Sequence, residues 1–367
     1  MAFIDSSAIR PKFTSDLVAA YKSSLNATTF LQSKFKRVTK DTDYLEWNIQ
    51  RFSENVAQDV ARGADGNRNS YATMVQKVEQ PPLYYEYLDV MQLEGYNRAF
   101  GSVSMSDSTY RDFRETATFH VKQMINKIDR AYELQAQSVL LTGKIITATN
   151  GTTDFLRKAA SIVAYGIGID WSQAGVNPKD LIKQGCIFNR TVGKASSNVF
   201  DCIMGDGAYT AFINNVNIQN EAQKLWSVLT KLEEPTPRGD GSTFMGQISA
   251  GPYKVNVFCY PEYYTNTTEV PNTSLPYVPS NAIIITPSDP YFIHGFAMVP
   301  RLPDYMGMAE SGFGNAIGGE EGTNKGQYFI SEFVDMKRTA WYMAAKSAGM
   351  TIPIGVDQIF TAYPLAA

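Results

Sequence analysis

The chain has 367 residues, 44% of them hydrophobic and 12% aromatic, with 33 basic against 36 acidic side chains. That length usually fills more than one core, and the aromatic content is too high for a disordered polar chain. The near balance of charge argues against a polycation built to grip nucleic acid, and two His with three Cys argue against most metal centres and histidine-dependent catalysis.

Residues 1–40 form a basic lead segment, in which Arg10, Lys12, Lys22, Lys34, Lys36, Arg37 and Lys40 face only Asp5 and Asp16. Leu17, Val18, Tyr21 and Leu25, then Phe30 and Leu31, predict a short amphipathic helix and a turn. No secretory signal is recognisable, so the chain is expected to stay where it is made. Residues 41–90 read as one long hairpin. Leu45, Trp47 and Ile49 alternate with Glu46, Asn48 and Gln50 at the strand period. Gly63-Ala64-Asp65-Gly66-Asn67 is turn chemistry, a return strand runs from about Tyr71 to Val78, and Pro81-Pro82 ends it. Arms of about 17 residues would span roughly 55 Å, against a radius of gyration of roughly 21 Å for a compact chain of this size. An isolated two-stranded hairpin is marginal in water. The hairpin is therefore expected to rest on a neighbouring copy; the competing reading folds it back on its own core.

Residues 106–142 predict an unusually long helix. Ser106-Asp107 can cap its start, and Tyr110, Phe113, Ala117, Val121, Met124, Ile128 and Tyr132 step by three or four along one face. Gly143 is a C-terminal stop. At 1.5 Å per residue the helix is about 54 Å long, which suits a rod across a flat subunit. Residues 150–327 are mixed. Helices are expected at Asn177–Gln184, Gly207–Asn214 and Gln219–Leu232. Strands are expected at Val199–Met204, Tyr253–Tyr260 and Ala282–Thr286, and loops at Glu234–Gly241 and Ser311–Gly326. Residues 328–367 return to strand patterns around Phe329–Val334, Ala340–Ala345 and Val356–Phe360. No run of about 18 apolar residues occurs, so no membrane-crossing helix is expected.

The short motifs in the chain do not build an active site. Cys186, Cys202 and Cys259 are scattered and odd in number, which reads as reduced core thiols. His120 within the long helix and His294 after Tyr291-Phe292-Ile293 read as packed residues. Gly312-Phe313-Gly314-Asn315-Ala316-Ile317-Gly318 spells a dinucleotide fingerprint without the strand that must precede it. Arg238-Gly239-Asp240 reads as a turn, and Glu233-Glu234 and Glu320-Glu321 as exposed loop charge. Three sequons, at Asn26, Asn266 and Asn272, carry little meaning without a secretory signal. No catalytic, metal or cofactor-binding residue is assigned, and no cofactor is expected.

The order of these features resembles the lambda-like major capsid proteins of tailed phages, which have the Hong Kong 97-type capsid fold. The similar strings are Leu140-Leu141-Thr142-Gly143-Lys144, Asp201-Cys202-Ile203-Met204-Gly205 with Ala208-Tyr209-Thr210-Ala211-Phe212, and Tyr253 through Tyr260 with Tyr263. Leu275-Pro276-Tyr277-Val278-Pro279 leading into Ala282-Ile283-Ile284-Ile285, Ser331-Glu332-Phe333, and Ile352-Pro353 through Phe360 also match. They run nearly the whole length of the chain.

The resemblance implies an α+β fold with an N-terminal arm (1–40), an extended E-loop hairpin (41–90) and a peripheral domain (91–160) holding a spine helix at about 106–142. An axial domain (161–327) and return strands of the peripheral domain (328–367) complete it. It implies a non-enzymatic major capsid protein that self-assembles into hexamers and pentamers around phage DNA. An encapsulin-type compartment shell is the alternative, and a glycan-binding or hydrolytic domain a more remote one. Inter-subunit contacts are expected from the hairpin residues Arg51, Glu54, Asp59, Arg62 and Arg68 and from the arm residues Lys34, Lys36 and Arg37. The expected partners are other copies of the chain, a separate scaffolding protein and a portal, with a decoration protein left open, and with only weak non-specific contact to double-stranded DNA and none to membrane. The expected location is the virion capsid, after assembly in the host cytoplasm. Lys77 lies on the hairpin, but no crosslink is expected from it.

Overall fold

The computed structural model describes residues 29–51, 54, 56, 57, 59, 62, 74–89, 107–147, 151–223, 230–266, 273–299, 315–317, 326–335 and 340–366. A 3-10 turn at Gln32–Lys34 leads into β1 (Lys36–Thr39), β2 (Leu45–Gln50), β3 (Met74–Glu79) and β4 (Leu83–Asp89). Helix α1 (Asp107–Thr142) is followed by β5 (Lys144–Thr147), β6 (Gly151–Asp154) and β7 (Ile162–Val163). Then come α2 (Pro178–Thr191), β8 (Val199–Met204), α3 (Asp206–Asn214), α4 (Val216–Gln223), β9 (Thr230–Pro237), β10 (Thr243–Ala250) and β11 (Tyr253–Cys259). β12 (Tyr263–Asn266), β13 (Thr273–Pro276), β14 (Ile283–Pro287) and β15 (Ile293–Phe296) precede β16 (Asn315–Ile317), β17 (Tyr328–Asp335), β18 (Ala340–Ile352) and β19 (Phe360–Ala362).

Two sheets organise the chain. The first runs β1-β15-β18-β17-β16, with β4 also paired to β18. Helix α1 lies on it, and its stripe of Val121, Met124, Ile125, Ile128 and Tyr132 packs with Phe296, Tyr328, Ile330, Met343 and Ala345. Three-and-four spacing put these side chains on one face, and burying that face gives so long a helix its stability. Gly143 ends the helix at φ +71°, and its amide donates to the Val139 carbonyl at 2.9 Å.

The second sheet runs β7-β19-β14-β8-β11-β10-β9. Its centre is buried on both faces, so β8 and β14 bury side chains on both sides in place of an alternating pattern, apolar except for Asp201 and Thr286. Phe200, Cys202, Met204, Val255, Val257, Ile283 and Ile285 point into one core with Trp171, Leu181, Ile182 and Phe212. Ile203, Phe258 and Ile284 point into another core, shared with Val139 and Leu140 of α1, Met350 and Ile352 of β18, Phe30 and Leu31 of the arm, and Leu45, Trp47 and Ile49 of β2. The α2 start follows its sequence signal: Pro178 sits at the first helical position, and the Asn177 side chain accepts from the Lys179 amide at 3.1 Å.

Several expectations change. Helix α2 continues to Thr191, beyond Gln184, because Cys186 stays on its buried face. The helix expected over Gln219–Leu232 ends at Gln223, and β9 begins at Thr230. Pro235 and Pro237 lie in that strand, where loop was expected; β9 is a sheet edge, and an edge strand tolerates the missing N–H. Part of the expected loop 311–326 is strand, Asn315–Ile317, and Val356–Gln358 is a 3-10 turn ahead of β19. The amphipathic helix expected around Leu17–Leu25, the Gly63–Asn67 turn, Arg68, the segment Tyr71–Thr73, Ser106, Gly312–Gly314 and Gly318, Asn26, Asn272 and Glu320-Glu321 lie outside the described residues. Two strands also cross the boundaries read from sequence. β15, within residues 161–327, belongs to the first sheet, and β19, within residues 328–367, belongs to the second.

Candidate contact surfaces of the arm and hairpin

The arm is docked like a bound peptide. Phe30, Leu31 and Phe35 are buried. Phe30 meets Phe258 and Tyr260 at ring distances of 5.2 and 5.5 Å, and Phe35 stacks on Phe292 at 5.1 Å. β1 then adds to the edge of the first sheet in parallel with β15, Lys36 opposite Ile293 and Thr39 opposite Phe296. Between these anchors the Leu31 and Gln32 amides donate to the two oxygens of Glu133 at 2.8 and 3.0 Å. Tyr260 Oη donates to the same carboxylate at 2.8 Å. Burial pushes Glu133 up to about 7, against the pull of these donors. The Gln32 side chain reaches His294 Nδ1 at 3.0 Å, and burial drives that imidazole down to about 3.

The three basic arm residues have different settings. Lys34 Nζ pairs with Asp201 at 2.5 Å and stands over the Phe30 and Phe258 rings at 5.1 and 5.2 Å. Asp201 also accepts from Asn256 and Ser288, both at 2.8 Å. Lys34 therefore ties the arm to the second sheet of its own chain. Lys36 and Arg37 are exposed on β1.

The hairpin root is held in the same way. Leu45, Trp47 and Ile49 are buried while Glu46 and Asn48 are exposed, as the alternation predicts. The described ladder pairs six residues on each side, Leu45 opposite Glu79 and Gln50 opposite Met74. That is roughly 20 Å of paired strand. Arg51 Nε donates to Asp357 Oδ2 at 3.1 Å and its Nη2 to the Leu156 carbonyl at 2.9 Å. Glu54 accepts from Arg190 at 2.6 Å and Lys194 at 3.4 Å. The Arg190 hydrogen bond, with Lys194 behind it, holds the Glu54 carboxyl below its ordinary range. The sequence reading set Arg51 and Glu54 against a neighbouring copy; in the structure each is paired within its own chain. Further out, Val56 is 88% exposed, and Asp59 and Arg62 are exposed.

Three polar residues that organise this region escaped the sequence reading. Asp129 and Glu133 stand four apart inside the apolar stripe of α1, and that intrusion was the available signal. Burial raises Asp129 to about 6, against the hydrogen bond from Tyr328. Arg157 gave no sequence signal, because its partners come from remote segments. Its Nη1 donates to the Leu140 and Leu141 carbonyls at 2.9 and 3.0 Å. Its Nη2 donates to the Ser161 carbonyl at 3.0 Å, the Ile359 carbonyl at 3.2 Å and Thr361 Oγ1 at 2.9 Å.

The described residues of this region supply contacts between segments of the chain. Among the described residues no three His, Cys, Asp or Glu side chains are grouped to hold a metal ion. The three cysteines are buried and unpaired, and burial pushes Cys186 up to about 12. Arg238 lies over the Phe244 and Phe258 rings at 5.4 and 4.9 Å, and Asp240 accepts from the Ser242 amide and hydroxyl at 3.0 and 2.7 Å. That tripeptide is a closed turn. No described helix is long and apolar enough to cross a membrane.

Comparison with known proteins places this architecture. The sequence model of the family described as phage major capsid protein E matches residues 14–352. A crystal structure of a prophage protein from E. coli CFT073, assigned as a capsid protein, superposes with a TM-score of 0.65 at 15% identity, covering 96% of this chain and 99% of the other. A phage-related protein from Bordetella bronchiseptica RB50 superposes with a TM-score of 0.54 at 8% identity, covering 95% and 96%. No curated protein matches by sequence.

Proposed function

The chain belongs to the phage major capsid protein E family, and from that membership we propose how this subunit builds a shell. It is a structural, non-enzymatic capsid protein with a Hong Kong 97-like α+β fold. It assembles into multi-subunit shells and resides in the virion capsid. The compartment-shell and glycan-binding or hydrolytic readings are not favoured.

We assign residues 1–40 to the arm, 41–90 to the E-loop hairpin, 91–160 to the peripheral domain, 161–327 to the axial domain and 328–367 to return strands of the peripheral domain. The two exchanged strands, β15 and β19, would lock peripheral and axial parts together. Closed rings require heterologous contacts, different patches meeting around each axis, and we propose hexamers and pentamers formed through the axial part. Arg51 and Glu54 set the direction in which the hairpin leaves its own subunit. Asp59, Arg62 and Arg68 then meet the neighbour's charges, and Lys36 and Arg37 are the arm groups available to a scaffolding protein or adjacent copy, with Lys34 anchoring that arm. Single exposed pairs contribute about 0–1 kcal/mol, so the contact is weak per copy and correctable during assembly. A separate scaffolding protein, a portal and a decoration protein complete the proposed partners. Contact with packaged DNA is slight and salt-sensitive, and assembly takes place in the host cytoplasm.

The observation that carries this reading is a hairpin whose root is packed into its own core while Val56, Asp59 and Arg62 beyond it stay exposed. Deletion of residues 53–69 tests it. Negative-stain microscopy is expected to show folded subunits or small rings without closed particles. Normal closed particles from that variant would remove the hairpin from assembly.

A further inference from the structure

The turn that follows β7 holds an isoleucine out to solvent on a fixed mount. Ile167 is 81% exposed, with Ile162 and Tyr165 exposed beside it. Asp170 ties the turn together. Its carboxylate accepts from the Ser172 amide at 3.0 Å, the Ser172 hydroxyl at 2.7 Å, Tyr165 Oη at 3.2 Å and Gln173 Nε2 at 3.4 Å. Trp171 then anchors it to the core. Its ring is buried near Phe212, its amide donates to the Pro364 carbonyl at 3.1 Å, and its carbonyl accepts from Asn215 Nδ2 at 3.1 Å. An exposed side chain held this way can meet a partner without the ordering cost of a free loop.

Gly166 and Gly168 flank Ile167 for no reason that the subunit itself supplies. Gly166 is extended, at φ −162° and ψ 155°. Neither glycine is left-handed, and a Cβ at either would meet nothing within 4 Å. Glycine weakens a folded chain through backbone entropy, and one use of its missing side chain is to let another surface come close. β7 stands at one end of the seven-strand order and β9 at the other, roughly 29 Å away at the usual strand spacing. β9 shows Pro235 and Pro237 exposed, and α4 beside it shows Val216, also exposed. Two prolines remove N–H groups from that edge, so it receives apolar side chains more readily than an added strand.

We propose that Ile167, with Tyr165 and Ile162, is the apolar plug of a ring contact and seats on the Pro235, Pro237 and Val216 surface of a second copy of this chain. The proposal rests on the shell reading. A closed ring needs two different patches on opposite flanks of each subunit, and the two edges of the second sheet supply them. A partner of another kind would need only one of the two. Gly166 and Gly168 leave the neighbour's surface room to reach the backbone of the turn.

The test combines Ile167→Cys with Pro237→Cys in the full-length chain, oxidised and run on a gel without reducing agent. The native cysteines are buried. The two new sites lie on opposite edges, too far apart to bridge within one chain, so a disulfide joins neighbours. Covalent trimers and larger species are expected, while each single variant is expected to stop at dimers. Gly166→Val places a side chain where the extended backbone suits it and the subunit has room. It is expected to keep the wild-type circular dichroism melt and to lower the yield of closed particles about tenfold or more by microscopy. Should it melt early, Ile167→Asp, at a side chain already in solvent, decides in its place with the same expected loss. A double variant that yields nothing beyond dimers while wild-type protein forms closed particles overturns this contact and leaves the shell reading standing. Normal particle yield from a folded Gly166→Val or Ile167→Asp does the same. Wild-type protein that forms neither rings nor particles overturns both.

Discussion

Arg157 shows how one side chain can hold a junction. Its guanidinium satisfies the last carbonyls of the long helix, which have no partner within the helix itself, and reaches the segments around Ser161 and Thr361. Burial lowers it to about 10, still far above any physiological pH, so it stays charged. The same site makes Gly143 hard to replace, because a Cβ there would stand 2.7 Å from Arg157 Cβ at a left-handed φ. Truncating Arg157 to Ala strands several buried carbonyls and is expected to cost about 3 kcal/mol or more. Denaturant unfolding of dissociated subunits measures this. Arg157→Lys should recover little, because an ammonium cannot span six acceptors with a fixed fork.

Among the elements, the long helix and the hairpin act as rod and lever. The rod is stable because one stripe is buried on β18 and its neighbours. The lever is different: among its described residues, Leu45, Trp47 and Ile49 at the root are the ones buried in the core. Beyond Gln50 its direction depends on side-chain pairs, Arg51 with Asp357 and Glu54 with Arg190 and Lys194. Glu54 is about half exposed, so reversing it should leave subunit stability near that of the wild type. Glu54→Arg would instead push the segment away from Arg190 and Lys194. The expected outcome is an unchanged circular dichroism melt with fewer closed particles by microscopy. Normal particle yield would assign no role to this clasp.

For the whole molecule, the decisive feature is that two sheets share one core and exchange strands. β15 leaves the middle segment for the first sheet, and the last strand, β19, enters the second between β7 and β14. Ile359, Phe360, Thr361 and Ala362 are buried there. Removing residues 359–367 therefore takes out an internal strand of the second sheet. The truncated chain is expected to be insoluble or expanded, with exchange protection lost over β7 and β14; a soluble, protected chain would show the two sheets to be independent.

Local pattern alone revealed a large part of this architecture. Trp47 between Glu46 and Asn48 marked a half-buried strand, the Val121–Tyr132 spacing marked the rod, Asn177-Pro178 marked a helix start and Gly143 a helix end. Each of those signals arises from backbone geometry within a few residues, which is why it survives in the order of residues. The Pro235 and Pro237 strand, the exchange of β15 and β19, and the pairings of Glu133, His294 and Arg157 were set only when distant segments met. A buried charge is tolerated or not according to which donors or acceptors fold against it, and sequence spacing carries no record of that.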